Sequence, residues 1–393
     1  MSHQLINLSP DLKKLSDEGF SLEIRDTHVL VHDIPYVNSN KEIQYGTMIT
    51  SLTIESGCAG KPTTHVMHFS GEQPCNIDGS EIVQIKHTTC RENLTGNIIS
   101  DRSFSNKPQG GYSDYYEKFS RYILIVSAPA KSIDGTVKSN PYKPVTSKSD
   151  DVTVFNYLDT NASRAGIAAI TSKVKHQKIA IIGLGGTGSY ILDLVAKTPV
   201  KEIHLYDGDD FVQHNAFRCP GATALEDLQQ GRKKVDHFNA QYSQMRSGIF
   251  AHAEYITSEN ITQLHQYDFV FISVDNGAIK ELIFNHLTQM KISFIDVGIG
   301  IQKDNDKLSG ILRTTAATPD KHDHLSKNVS FINSDENEYT TNIQLPELNS
   351  LNASFAVIKW KKLSGIYHDH DEEHDSTYTI NANMLLGSDY VAA

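Results

Sequence analysis

Lys178-Ile-Ala-Ile-Ile182-Gly183-Leu-Gly185-Gly186-Thr-Gly188-Ser189 is a short apolar run that empties into a glycine-rich turn. The run reads as a buried strand, and a helical pattern, Thr187–Lys197, starts inside the turn. Glycines there let the backbone bend sharply and approach an anion, while the amides and dipole of the new helix favour negative charge. A second apolar run, Glu202–Tyr206, ends at Asp207, 19 residues beyond Gly188, where a carboxylate can bind ribose hydroxyls. Working outward, Ala251–Ile256, Phe269–Val274 and Ser293–Val297 read as further buried strands, with a helical pattern over Asn276–Met290. Continuous apolar strands alternating with helices predict a parallel sheet covered on both faces, a doubly wound, Rossmann-like α/β domain over residues 153–393. The plainer reading of the turn is close helix–strand packing, and the fingerprint by itself does not name the nucleotide.

The segment after Asp207 narrows the chemistry. Tyr206-Asp207-Gly-Asp209-Asp210-Phe-Val-Gln-His-Asn215-Ala-Phe-Arg218 sets polar groups beside the same crevice, Lys233 and Lys234 add cations, and the fourth strand ends in Val274-Asp275-Asn276. Hydride transfer has little use for so many charges. A triphosphate does, because Arg and Lys orient its oxygens and a carboxylate can hold magnesium.

With these motifs in order, residues of about 160–367 resemble the adenylation domain of the ubiquitin-activating and ThiF/MoeB family. The resemblance implies ATP and Mg2+ as cofactors, and adenylation of the C-terminal glycine carboxylate of a ubiquitin-like, β-grasp protein. It places the family's glycine loop on Gly183, Gly185, Gly186 and Gly188, and its ribose-binding acid on Asp207, with a second acid on Asp209. Its phosphate-holding pair falls on Asn215 and Arg218, its nucleotide lysine on Lys234, and its magnesium-linked catalytic aspartate on Asp275. An arginine supplied in trans by the partner of a homodimer would be Arg164, and the stretch from Ile343 to Gly365 resembles the family's closing helix. A microcin- or ThiF-type enzyme acting on a peptide or sulfur carrier is the alternative, followed by an inactive nucleotide-binding scaffold and then a Rossmann dehydrogenase.

Two family features are absent. Between Gly298 and Phe331 there is no cysteine to form a thioester; Ser309, Thr314 and Thr315 supply hydroxyls, which could give an oxyester only with activation. No CxxC pair exists to hold zinc, the four cysteines being Cys58, Cys75, Cys90 and Cys219. Cys219 reads as a small buried residue beside Arg218.

Residues 1–130 read as a smaller α+β module. A helix over Ser9–Glu18 precedes strands at Phe20–Ile24, His28–His32, Gly46–Ile54, His65–Phe69 and Glu81–Lys86, and a helix over Asp114–Ser127 closes it. The module suits substrate recruitment or a conjugating-enzyme-like fold, in which Cys75 or Cys90 would be the nucleophile and a conjugating enzyme a further partner. Residues 131–152, rich in Lys, Ser, Pro and Asp, read as a linker. The run His368-Asp-His370-Asp-Glu-Glu-His374-Asp reads as a solvated loop rather than a metal site. The chain of 393 residues is 39% hydrophobic and 21% charged, a globular balance. Its 36 basic against 47 acidic residues, net −11, argue against nucleic acid as a partner. With neither a membrane-length apolar run nor a secretory start, the expected location is the cytoplasm.

Overall fold

The computed structural model describes residues 2–143, 153–331 and 343–390. The chain divides into two compact units, one formed by Met1–Val152 with Tyr157–Ile167, the other by Thr153–Asn156 with Ala168–Ala393.

In the second unit the expected parallel sheet is present, in the order Ile249–His252, Glu202–Tyr206, Lys178–Ile182, Phe269–Ile272, Ser293–Asp304. Its strands are apolar on both sides because both faces are covered. Ile179, Ile181, Leu205 and Phe271 pack beneath the helices Gly186–Ala196 and Pro346–Leu363, with Trp360 fully buried among them. Ala180, Ile182, Val270 and Ile272 face Ile283, Phe284 and Leu287 of the helix Gly277–Gln289. Burying one such large side chain contributes roughly 1.5–3 kcal/mol. Asn276 starts the last helix by accepting the Ile279 amide at 3.1 Å, the usual N-cap role of a short polar side chain. Strand order reverses between Lys178–Ile182 and Phe269–Ile272, which opens a crevice at the carboxyl edge.

Two elements differ from expectation. The third strand starts earlier, at Ile249, and stops at His252, because Asn260 folds the following turn by binding the Tyr255 carbonyl at 2.9 Å and the Thr257 amide at 2.7 Å. The fifth continues to Asp304 and turns back as Lys307–Ala317, and Glu373–Thr379 and Met384–Tyr390 extend the sheet antiparallel. The His/Asp run is therefore a solvated loop only in its first part, where His368, His370, Asp371 and Glu372 are exposed; its end enters the sheet at Glu373. Asp369 binds Lys359 at 2.8 Å and Lys362 at 3.0 Å, Asp375 accepts the Thr315 hydroxyl at 2.5 Å, and His374 and Asp375 are buried.

The first unit is a six-stranded antiparallel sheet, ordered Ser21–Arg25, His28–Val37, Ile43–Ser51, Val66–Ser70, Arg102–Ser105, Lys86–Thr88. Helices Pro10–Asp17 and Tyr115–Ile133 pack on it. The expected strand Glu81–Lys86 is instead a helical turn, Val83–Ile85, leading into a strand. Its apolar residues bury with a spacing of three, at Ile82 and Ile85, while Val83 is exposed, so the period of a strand is missing. The long helix runs through Pro129 to Ile133, past the start of the linker-like stretch. Ser139 then contacts Ser127, Asn140 binds the Glu18 carbonyl at 2.8 Å, and the Tyr142 amide binds the Gly19 carbonyl at 3.1 Å. Small polar residues and backbone make these contacts, which composition does not announce. Residues 144–152 of that stretch lie outside the described residues.

Lys118, on the long helix, is wholly buried and donates to Thr50 Oγ1 at 2.6 Å and to the Thr64 carbonyl at 2.8 Å. Burial pulls its ammonium down to about 7. The unfolded chain keeps this proton to about pH 10.4, so between those values the unfolded state binds more protons and stability rises with pH, by at most about 1.4 kcal/mol per pH unit. Thermal denaturation of the full chain at pH 7.5 and 9.5 should show this rise, and Lys118→Met should flatten it. An equal rise in both proteins would assign the pH dependence to other groups.

Candidate nucleotide site

Gly183 ends its strand at φ +87°, a left-handed conformation that glycine adopts freely, and a side chain there would strike the Ser273 carbonyl. A methyl on Gly188 would overlap the Gly183 carbonyl oxygen, so this glycine is fixed by the close approach of helix to strand. A methyl on Gly186 would overlap the Asn349 side chain. Gly185 is different. It precedes the first turn of the helix, and nothing lies within 4 Å of where its side chain would stand. The loop thus has three packed glycines and one open face at a helix N-terminus, the form of an anion cradle.

Asp207 latches this loop. Its Oδ2 accepts the Leu184 amide at 2.7 Å and its Oδ1 accepts the Asp209 amide at 2.9 Å. Lys234, at the start of the helix Lys234–Tyr242 and almost buried, lies 3.6 Å from Asp207 and 2.5 Å from Asp209. Asp209 is the more open of the two acids. Burial would raise its carboxyl pKa, but hydrogen bonds from Lys234 and Tyr255 outweigh this and hold it below the usual range. Tyr255 follows the third strand, rests on Gly208 and donates to Asp209, which pushes its phenol up to about 12. No sequence signal singled it out.

Asn215 turns the chain: its Oδ1 accepts the Val212 amide at 2.9 Å, and its carbonyl accepts the Arg218 amide at 3.0 Å. Arg218 is the unusual group. Its Nε is buried with no hydrogen-bond partner. Burial lowers its pKa, opposed by the nearby carboxylates of Asp275 and Asp209. A buried, unsatisfied guanidinium nitrogen is costly, and an anion would relieve it. Lys233 is turned aside, bound to Asp210 at 2.8 Å and the Gly208 carbonyl at 2.9 Å. Asp275 sits exposed where the fourth strand meets the next helix, within the electrostatic reach of Arg218.

A second missed residue is Asn349. It lies fully buried in the closing helix, accepts the Thr187 hydroxyl at 3.2 Å and donates to the Arg218 carbonyl at 3.3 Å. The structure therefore brings together Gly183, Gly185, Gly186, Gly188, Asp207, Asp209, Asn215, Arg218, Lys234 and Asp275. Arg164 belongs to the other compact unit; it ends the short helix Thr160–Arg164, exposed, with its Nε 3.6 Å from Asp17.

Four of the alternative nucleophiles, Cys75, Cys219, Thr314 and Thr315, are buried. Cys75 is buried and donates to the Gln73 carbonyl at 3.3 Å; burial raises its pKa, and the same holds for Cys219. That disfavours the thiolate that attack requires. Thr314 binds Asn352 and Thr315 binds Asp375, both buried, so neither hydroxyl is presented for oxyester formation. Cys90 is exposed. Among the described residues no three His, Cys, Asp or Glu side chains converge as a metal site, and no helix is long and apolar enough to cross a membrane.

Residues 159–318 match the ThiF family, and residues 10–160 match a domain of unknown function, DUF6791. A tRNA threonylcarbamoyladenosine dehydratase of Haemophilus influenzae is 23% identical over 158 residues, covering 37% of this chain and 59% of that protein. A ubiquitin-like modifier-activating enzyme 5 of Caenorhabditis briggsae is 21% identical over 194 residues, covering 48% of this chain and 36% of that protein. The chain thus spans less than two thirds of either relative. Among solved structures, E. coli MccB with MccA-N7isoASN is 17% identical, covering 59% of this chain and 70% of that one with a TM-score of 0.45. Glycine loop, acidic latch and strand order meet the sequence comparison at the same residues: the chain carries a ThiF family domain over residues 159–318.

Proposed function

We propose that this protein uses ATP to adenylate the C-terminal glycine carboxylate of a ubiquitin-like, β-grasp protein. The observation that carries the reading is the glycine loop with one open face at a helix N-terminus, to whose first turn Asn349 ties the backbone of Arg218. Similarity to ubiquitin-like modifier-activating enzymes supports the choice of acceptor.

A carboxylate is a poor acyl donor, because oxide would have to leave. In the proposed reaction its oxygen attacks the α-phosphorus of ATP, the α–β bridging bond breaks, and pyrophosphate departs with that electron pair. Two anions must first meet, so catalysis lies in positioning and positive charge. Gly185 and the amides of its helix receive the phosphates, Arg218 supplies its fork, and Lys234 is held beside them by Asp209. Asp207 is the acid for the ribose hydroxyls, with Asp209 as the second acid beside it. Asp275 would hold Mg2+, which binds through one or two carboxylates together with substrate phosphates and so fits a site lacking a protein cage. That ion would neutralise phosphate charge. Arg164 would act from the second copy in a homodimer, as the family resemblance implies.

ATP–pyrophosphate exchange tests this reading. Label should return to ATP when a β-grasp protein ending in glycine is present and not without it. Exchange driven by a short peptide instead would transfer the reading to a microcin-like substrate. None with any acceptor would leave a nucleotide-binding scaffold.

A further inference from the structure

We propose that Asn349 is a positioning residue for the nucleotide: it sets Arg218 against the glycine loop. The inference rests on the adenylation reading. One carboxamide reaches both parts of the cradle. Its nitrogen packs on the Cα of Gly186 and donates to the Arg218 carbonyl at 3.3 Å, while its oxygen accepts the Thr187 hydroxyl at 3.2 Å. Gly186 and Thr187 form the first turn of the helix whose N-terminus faces the phosphates. Arg218 lies 31 residues further along the chain, in a loop whose own brace is Asn215. Asn349 therefore ties the backbone carbonyl of the cation to the first turn of the cradle helix, and Tyr190 of that helix donates to the neighbouring Cys219 carbonyl at 3.4 Å. Its burial is complete, and an amide side chain is seldom buried unless its hydrogen bonds are met. The unsatisfied Nε of Arg218 gives the tie a purpose, since with no protein hydrogen bond at that atom the placing of the side chain leans on its backbone.

The same helix provides a matched control. Asn352, one turn on, is equally buried and makes two hydrogen bonds of its own, to the Gly298 carbonyl at 3.0 Å and with Thr314 Oγ1 at 3.1 Å. Both of these bonds lead to the fifth and sixth strands of the sheet, away from the hydrogen bonds that hold the glycine loop and the Arg218 carbonyl. Losing Asn352 removes packing and hydrogen bonds comparable to those lost with Asn349, without disturbing the cradle.

The test uses the full chain and two readouts: MgATP binding by calorimetry without acceptor, and the ATP KM and kcat of exchange. Asn349→Asp keeps the shape and the acceptor for Thr187 but replaces the donor to Arg218 with an acceptor. It should weaken MgATP binding and raise KM by about tenfold or more, the scale for misplacing a binding group, with a smaller change in kcat. Asn349→Ser, small enough to fold where the charged variant does not, should fall in the same direction. Asn352→Ala should lower the melting temperature to a similar extent yet leave ATP affinity within about twofold of wild type. Wild-type affinity in the Asn349 variants, or an equal loss in Asn352→Ala, overturns the proposal while leaving the adenylation reading intact. Weakened MgATP binding in Asn349→Asp without exchange in any protein supports the positioning role and sinks the acceptor assignment instead. A wild-type chain that does not bind MgATP defeats both.

Discussion

Arg218→Ala should lose ATP–pyrophosphate exchange by roughly 10²–10³-fold, the cost of removing one preorganised charge-stabilising donor, while the protein melts at or above the wild-type temperature. The two halves of this expectation have one origin. In the folded chain the Arg218 Nε is buried without a partner, and burial presses the guanidinium toward losing its charge. Truncation breaks no side-chain hydrogen bond at that atom and removes a desolvated cation, so the fold loses little. The carbonyl that Asn349 binds belongs to the backbone and survives the change. An arginine kept only for architecture would behave in the opposite way, with melting temperature falling and exchange following it down. Arg218→Lys should recover part of the loss, because a point charge remains but the planar fork does not. Exchange kinetics with the acceptor, beside calorimetric melting, measure both halves. Wild-type exchange in Arg218→Ala would remove the cation from the reaction.

The glycines should divide just as sharply. Gly188→Ala would drive a methyl into the Gly183 carbonyl oxygen, a backbone atom that cannot swing aside, so the helix would have to move off its strand. A destabilisation of about 1–3 kcal/mol or more is expected for such overpacking. Gly185→Ala meets nothing within 4 Å, and its φ of −70° suits any residue, so its melting temperature should stay near that of wild type. Its defect should appear only with nucleotide, as a methyl standing where the phosphates approach. Circular-dichroism melts and MgATP titration of both variants separate the two cases. If Gly185→Ala bound MgATP normally, the open face would not be the phosphate site.

Much of this site was legible because its signals are local. The strands Lys178–Ile182 and Glu202–Tyr206 have the expected bounds, since each apolar run stops at a glycine loop or an acid. Asp207, Asn215, Arg218 and Lys234 lie within a short stretch and fold into one corner. What stayed hidden depends on contacts across the chain. Asn349 meets Gly186 from 163 positions away, and a buried asparagine in a helix has the composition of a surface one. Tyr255 gains meaning only when Gly208 and Asp209 are beneath it. The His/Asp run looked like solvent-loving chain because its charges are met by Lys359 and Lys362, partners from a helix that precedes it, before the chain enters the strand at Glu373. In the first unit, Ile82 and Ile85 show how one burial period can mimic another over a short segment.

Asp207 holds the glycine loop with one oxygen and the start of the next loop with the other. Two crossovers of the sheet are thereby welded into a single rim before any ligand arrives. Such a rim would present the proposed nucleotide with a glycine loop and a neighbouring acid whose spacing a single carboxylate sets.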